Sequence, residues 1–218
     1  MSDHISVVLA DDHAIVRKSL AERLAREPDI KVVGTAEDAE SAIAAAVNLQ
    51  ADVLVMDIDM PGRLCFDAAK TIQIQSRKVR IVFLSAFSND AYVDQALAVE
   101  AAGYVTKDET PETVADAIRA AATGRRFFSP QIQRRIVVDS DGVRLARKER
   151  SRASTLTPRE LEVLRHISRG MSQKEIAQAM HVSADTVHCH VANLRKKLEI
   201  RDRVALARFA IREGLAEA

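Results

Sequence analysis

Five short apolar runs fall within the first 106 residues, and each is followed by a stretch with helical periodicity. The runs lie at about 5–10, 30–36, 52–57, 79–85 and 103–106. Short apolar runs bounded by polar and turn-forming residues predict buried strands. The stretches at about 13–26, 38–49, 65–75, 89–100 and 111–122 predict helices. Strict strand–helix alternation predicts a parallel sheet with helices on both faces. The expected fold is therefore α/β: a five-stranded, doubly wound parallel sheet. Asp38 and Thr110 stand as N-caps, Pro111 as a first helical residue and Gly124 as a stop.

What ends each strand points to chemistry. Asp11 and Asp12 follow the first run, Asp57 the third, Ser85 the fourth, and Lys107 the last. In an open parallel sheet these positions gather at the carboxyl edge, where such sheets bind ligands. Carboxylates brought that close repel, and a divalent cation neutralises them.

The second half of the chain differs in charge. Residues 1–128 hold 14 Lys+Arg against 20 Asp+Glu, a net of −6; residues 129–218 hold 18 against 11, a net of +7. An acidic front and a basic back predict two domains, the second facing a polyanion. No apolar run approaches the ~20 residues needed to span a bilayer, and the N-terminus lacks an export pattern. Cys65 and Cys189 stand far apart, so the chain fits a reducing cytoplasm. Residues 126–153 are charged and aperiodic, which predicts a short helix near 130–138 and then a mobile linker.

Residues 154–218 return to helical patterns. Thr157-Pro158-Arg159-Glu160 opens a helix that stops at Gly170. Residues 172–191 read as a helix-turn-helix: Ser172 caps a short helix, His181-Val182 allow only a tight turn, and Ser183 caps a second helix reaching Leu198. On that second helix Val187, Val191, Leu194 and Leu198 form one stripe. At roughly 100° per residue, Asp185, His188, Cys189, Ala192 and Lys196 point away from it and can face a major groove. Thr186, Asn193 and Lys197 lie on one flank and Arg195 on the other, suited to phosphates. His188 and His190 point about 160° apart, which disfavours a shared metal.

The blocks Val55-Met56-Asp57-Ile58-Asp59-Met60-Pro61-Gly62 and Gly103-Tyr104-Val105-Thr106-Lys107-Asp108 resemble the receiver domain of two-component response regulators over about 1–125. The blocks Leu156–Leu164, Ser183–Val191 and Asn193–Leu198 resemble the LuxR-type DNA-binding domain over about 154–216. Together they resemble a NarL/FixJ-type response regulator. That resemblance implies a cytoplasmic transcription regulator, not an enzyme, with double-stranded DNA and a sensor histidine kinase as partners and homodimers on phosphorylation or DNA binding. It implies Asp57 as phosphoacceptor, with Ser85 and Lys107 against the phosphoryl oxygens. It implies Mg²⁺ held by Asp12, Asp57 and the Asp59 carbonyl, with Asp11 reached through water, and Tyr104 as the switch aromatic. Positions 188, 189 and 192 depart from the family pattern: His188 stands where Lys is common, and Cys189 and Ala192 are small. Two other readings stand beside this one. A regulator of the same fold can act without phosphorylation, and Asp57-Ile58-Asp59 superficially resembles the nucleophile motif of haloacid-dehalogenase-type phosphatases.

Overall fold

The computed structural model describes residues 4–60, 63–139, 142–146 and 152–215. Pro61 and Gly62 of the receiver-like block, and residues 140–141 and 147–151 of the expected linker, lie outside them. The first half forms β1 (Ile5–Ala10), α1 (Ala14–Leu24), β2 (Ile30–Ala36), α2 (Ala39–Asn48), β3 (Val53–Asp57) and α3 (Cys65–Gln75). It continues through β4 (Arg80–Ser85), α4 (Asp90–Ala98), β5 (Gly103–Thr106) and α5 (Pro111–Ala122). Every expected strand and helix of this half is present. The caps are the expected ones: Asp38 and Ser41 close a reciprocal capping box on α2, and Thr110 caps α5 ahead of Pro111. Gly124, at φ 77°, ends α5 with the Gly124 N–H on Ala121 O and the Arg125 N–H on Ala120 O.

The strands run parallel in the order β2-β1-β3-β4-β5, and a sixth strand, β6 (Phe127–Phe128), pairs with β5. The sheet therefore has six strands, one more than the expected five. Gly103 explains how β6 fits: a Cβ there would meet Phe127 O at 2.9 Å. The chain's winding reverses between β1 and β3, which is the crevice where such sheets bind ligands.

Strand alternation sorts the side chains between two faces. Val7, Leu9, Val53, Val55, Val82, Leu84 and Val105 pack with Val114, Ala117, Ile118 and Ala121 of α5. The alternate positions include Phe83, whose ring lies 4.9 Å from that of Phe66 in α3. Tyr104, the register partner of Phe83, is fully buried.

Beyond β6 the helix expected near 130–138 is only one turn, α6 (Pro130–Gln133). It is followed by a two-stranded sheet of β7 (Ile136–Asp139) and β8 (Gly142–Leu145), which replaces the start of the expected linker. The chain divides into two compact units, Met1–Ala86 with Ala96–Ile136, and Phe87–Gln95 with Val137–Ala218.

The C-terminal segment folds as a 3₁₀ turn (Arg152–Thr155), α7 (Pro158–Ser168), α8 (Gln173–Ala179), α9 (Ala184–Leu198) and α10 (Arg203–Arg212). Thr157–Glu160 and Ser172–Glu175 form capping boxes, and Ser183 and Asp202 cap α9 and α10. The expected stripe of Val187, Val191, Leu194 and Leu198 is the buried face of α9. Between α8 and α9, His181 takes a left-handed φ of 52°, with the His181 N–H on Gln178 O and the Val182 N–H on Ala177 O. That pair of bonds turns the chain in the space of two residues.

Candidate functional site

The sheet places Asp11 directly after β1 and Asp57 at the end of β3, on either side of the reversal point. Following the alternation of Val7-Leu9 and Val53-Val55, both carboxylates continue the face packed against α5, and Lys107 continues it from Val105. Asp57 is 1% exposed and Asp11 4%. Lys107 Nζ lies 2.8 Å from Asp57 Oδ2 and 2.8 Å from Asp11 Oδ2. The Asp57 contact is an aligned hydrogen bond. Asp11 Oδ2, although close to the ammonium, takes no aligned hydrogen bond among the described residues.

Backbone donors hold the rest. The Asp59 N–H donates to Asp57 Oδ1 at 3.1 Å, and the His13 N–H to Asp11 Oδ1 at 2.8 Å. Burial pushes the Asp57 carboxyl above its ordinary range, with Lys107 pulling the other way. For Lys107, burial pulls down, but the two carboxylates outweigh it and its pKa rises. The ammonium therefore stays charged, and it offsets part of what burying Asp57 costs.

Asp11, Asp12, His13 and Asp57 each present a ligand atom, all within 4.8 Å of one another. Three carboxylates gathered this closely, two of them buried, suit a hard divalent cation. Sequence reading passed over His13. Its Nδ1 lies 2.8 Å from Asp12 Oδ1, so it orients the more exposed acid of the pair. The only signal was its place directly after Asp12 at the N-cap of α1.

Ser85 and Thr106 end β4 and β5 as register partners, both buried, on the face that also carries Tyr104. The Lys107 N–H donates to Ser85 O at 2.7 Å, tying the two strand ends together. Gln131 Nε2 donates to Thr106 Oγ1 at 2.9 Å, a contact no sequence pattern announces.

In the C-terminal segment, Asp185, Thr186, His188, Cys189, Ala192, Asn193, Arg195 and Lys196 are all exposed along α9. Lys197, expected on a phosphate-facing flank, is exposed as well and also makes contacts within its own domain: its Nζ donates to Glu160 Oε2 at 2.7 Å and to Thr155 O at 3.1 Å. Glu160 is only 3% exposed and needs that partner. Cys65 is buried and Cys189 exposed, and neither is in a disulfide.

Comparison with known proteins settles the family. Residues 7–119 match the response regulator receiver domain, and residues 154–210 match the bacterial regulatory proteins of the luxR family. The chain belongs to the LuxR-type response regulators. The uncharacterized transcriptional regulatory protein YxjL of Bacillus subtilis is 35% identical over 215 residues, covering 99% of each chain. The response regulator VraR of Staphylococcus aureus is 32% identical over 216 residues, covering 98% of this chain and 99% of VraR. Among solved structures, RcsB of Salmonella enterica serovar Typhimurium, bound to a promoter with the phosphomimetic BeF₃⁻, aligns with a TM-score of 0.69 and 26% identity over 94% of this chain and 98% of RcsB. This response regulator is thus a DNA-binding transcriptional regulator of a two-component system. That membership displaces the phosphatase reading of Asp57-Ile58-Asp59. Among the described residues, no helix is long and apolar enough to cross a membrane.

Proposed function

We propose that Asp57 is the phosphoacceptor of this regulator and that a partner histidine kinase supplies the phosphoryl group. The observation that carries this reading is the Lys107 ammonium held 2.8 Å from both Asp57 Oδ2 and Asp11 Oδ2 at the carboxyl edge of the sheet. A carboxylate oxygen of Asp57 attacks phosphorus, and the phosphorus–nitrogen bond to the kinase histidine breaks. Asp57 cannot do this beside an uncompensated negative charge. Lys107 meets one phosphoryl oxygen, and the Ser85 hydroxyl donates to another.

Asp11, Asp12, Asp57 and the carbonyl of Asp59 would hold Mg²⁺. The ion would supply charge neutralisation at the phosphoryl oxygens. His13 steadies Asp12 for that task. Water brought against the same phosphoryl group would give slow self-dephosphorylation. Exposed Ile15 (82%) and Val16 (37%) border a cavity of about 330 Å³ that also reaches Lys107, an apolar surface suited to docking the kinase helix that carries the histidine.

The phosphoryl-receiving unit runs through α6, and residues 154–218 bind DNA. On α9, His188, Cys189 and Ala192 face the bases, while Thr186, Asn193, Arg195 and Lys196 meet the edges of the groove and the phosphates, with Asp185 near the start. RcsB has been solved as dimers bound to DNA. A homodimer of this chain, formed on phosphorylation or on DNA, would read an inverted repeat. The regulator acts in the cytoplasm. When Ser85 turns to the phosphoryl group, buried Tyr104 secures the space beside it, and the face of residues 87–106 becomes the altered surface.

The test is labelling with acetyl phosphate followed by mass mapping. We expect an acyl-phosphate on Asp57 and none in folded Asp57→Asn. Label at the wild-type level in that variant rejects the assignment, and the phosphorylation-independent reading then stands.

A further inference from the structure

We propose that Gln131 is a positioning residue for the phosphoacceptor site: through Thr106 it couples the end of β5 to α6. The inference rests on Asp57 being the phosphoacceptor.

Thr106 stands between the two sides of this coupling. It precedes Lys107, whose ammonium holds Asp57, and it is the register partner of Ser85. The Lys107 N–H on Ser85 O locks those strand ends together at 2.7 Å. A displacement of the Ser85 backbone that accompanies the turn of its hydroxyl toward a phosphoryl group is therefore passed to the end of β5. The Thr106 side chain is 98% buried and accepts the Gln131 amide at 2.9 Å.

The exposed Gln131 side chain is carried on a one-turn helix whose backbone is tied to the end of β5. Upstream, β6 pairs with β5, and the Ser129 N–H donates to Tyr104 O at 3.0 Å. Within the turn, the Ile132 and Gln133 N–H groups both donate to Ser129 O at 2.9 Å, and Ile132 is fully buried. A shift of Thr106 thus reaches the α6 hydrogen bonds. Conversely, the bond from Gln131 biases where Thr106, and with it Lys107, comes to rest.

The experiment uses the full chain, with BeF₃⁻ as the phosphoryl mimic and amide hydrogen exchange at Ile132 and Gln133 as the readout. In the wild type, BeF₃⁻ changes those exchange rates by about threefold or more. Gln131→Ala and Thr106→Val bind BeF₃⁻ at Asp57 but hold the change below about 1.5-fold. Gln131→Glu, whose carboxylate accepts the Thr106 hydroxyl proton, restores the response, which a merely structural role would not predict. The coupling is wrong if BeF₃⁻ occupies Asp57 in the wild type without altering α6, or if Gln131→Ala responds as the wild type does. If Asp57 takes up neither BeF₃⁻ nor phosphate in the wild type, the phosphoacceptor reading fails, and the coupling fails with it.

Discussion

Lys197 Nζ sits 2.7 Å from Glu160 Oε2 and so fastens the last turn of α9 to the first turn of α7. Burial pushes the Glu160 carboxyl up, but the bonds from Lys197 and Thr157 outweigh it and hold it below its ordinary value. A depressed folded pKa contributes stability that is present above the unfolded value of about 4.5 and is lost as pH falls through the folded value. Lys197→Ala leaves a buried carboxylate without its cation. A pair this deep usually costs 3–5 kcal/mol to break, and the partly exposed lysine reduces that to roughly 1–2 kcal/mol. Urea titration at pH 7 measures the loss, and Glu160→Gln should flatten the decline below about pH 4.5.

Lys196 is free of that duty. Lys196→Ala should weaken DNA binding for all sequences alike and lower the salt slope by about one unit. His188→Ala should instead alter the ranking among sites if, as proposed, it faces the bases. Salt titrations on one operator and one unrelated duplex separate the two effects. An unchanged slope for Lys196→Ala would place that ammonium away from the phosphates.

Asp57 is costly to the fold that holds it. Its carboxyl is raised by burial, so as pH climbs through the ordinary value near 3.8 the unfolded chain loses its proton first, and folded stability declines until the folded value is passed. Asp57→Asn should therefore raise the Tm at pH 7 without added metal. A lower Tm for the variant would mean that the Lys107 bond outweighs desolvation.

Divalent cations should act on the same acids. Mg²⁺ added at a hundred times its Kd stabilises a protein that binds it only when folded by about 2.7 kcal/mol. Thermal melts with and without Mg²⁺ should show that gain, and Asp12→Asn should remove most of it. An equal gain in the variant places the ion elsewhere.

His181 carries a left-handed backbone between the two helices of the DNA-binding motif. A β-carbon in that region costs roughly 1 kcal/mol, which glycine avoids. His181→Gly should raise the stability of the C-terminal segment by a few tenths to about 1 kcal/mol, after the entropy glycine gains in the unfolded chain. Chemical denaturation of the variant checks the sign.

Local pattern carried most of this structure. The five runs, their caps and the α9 stripe are read from neighbours within one or two turns, and each took its expected place. Contacts between distant segments were not legible. Phe127-Phe128 is too short to show a period, and its pairing depends on Gly103 lacking a Cβ. Rotation around α9 puts Lys197 on a flank but does not reveal that Glu160, 37 residues earlier, waits there. Strand ends announced Asp11, Asp57 and Lys107, whereas His13 and Gln131 entered only through geometry.

The two faces of β5 divide labour by parity. Val105 and Lys107 look toward the acids, and Tyr104 and Thr106 look toward the opposite side. Residues 104–107 thus run as two wires, one toward the acids and one toward the opposite face, told apart by the pleat. Inserting a single residue after Gly103 would cross the wires, turning the ammonium away from Asp57 without deleting any group.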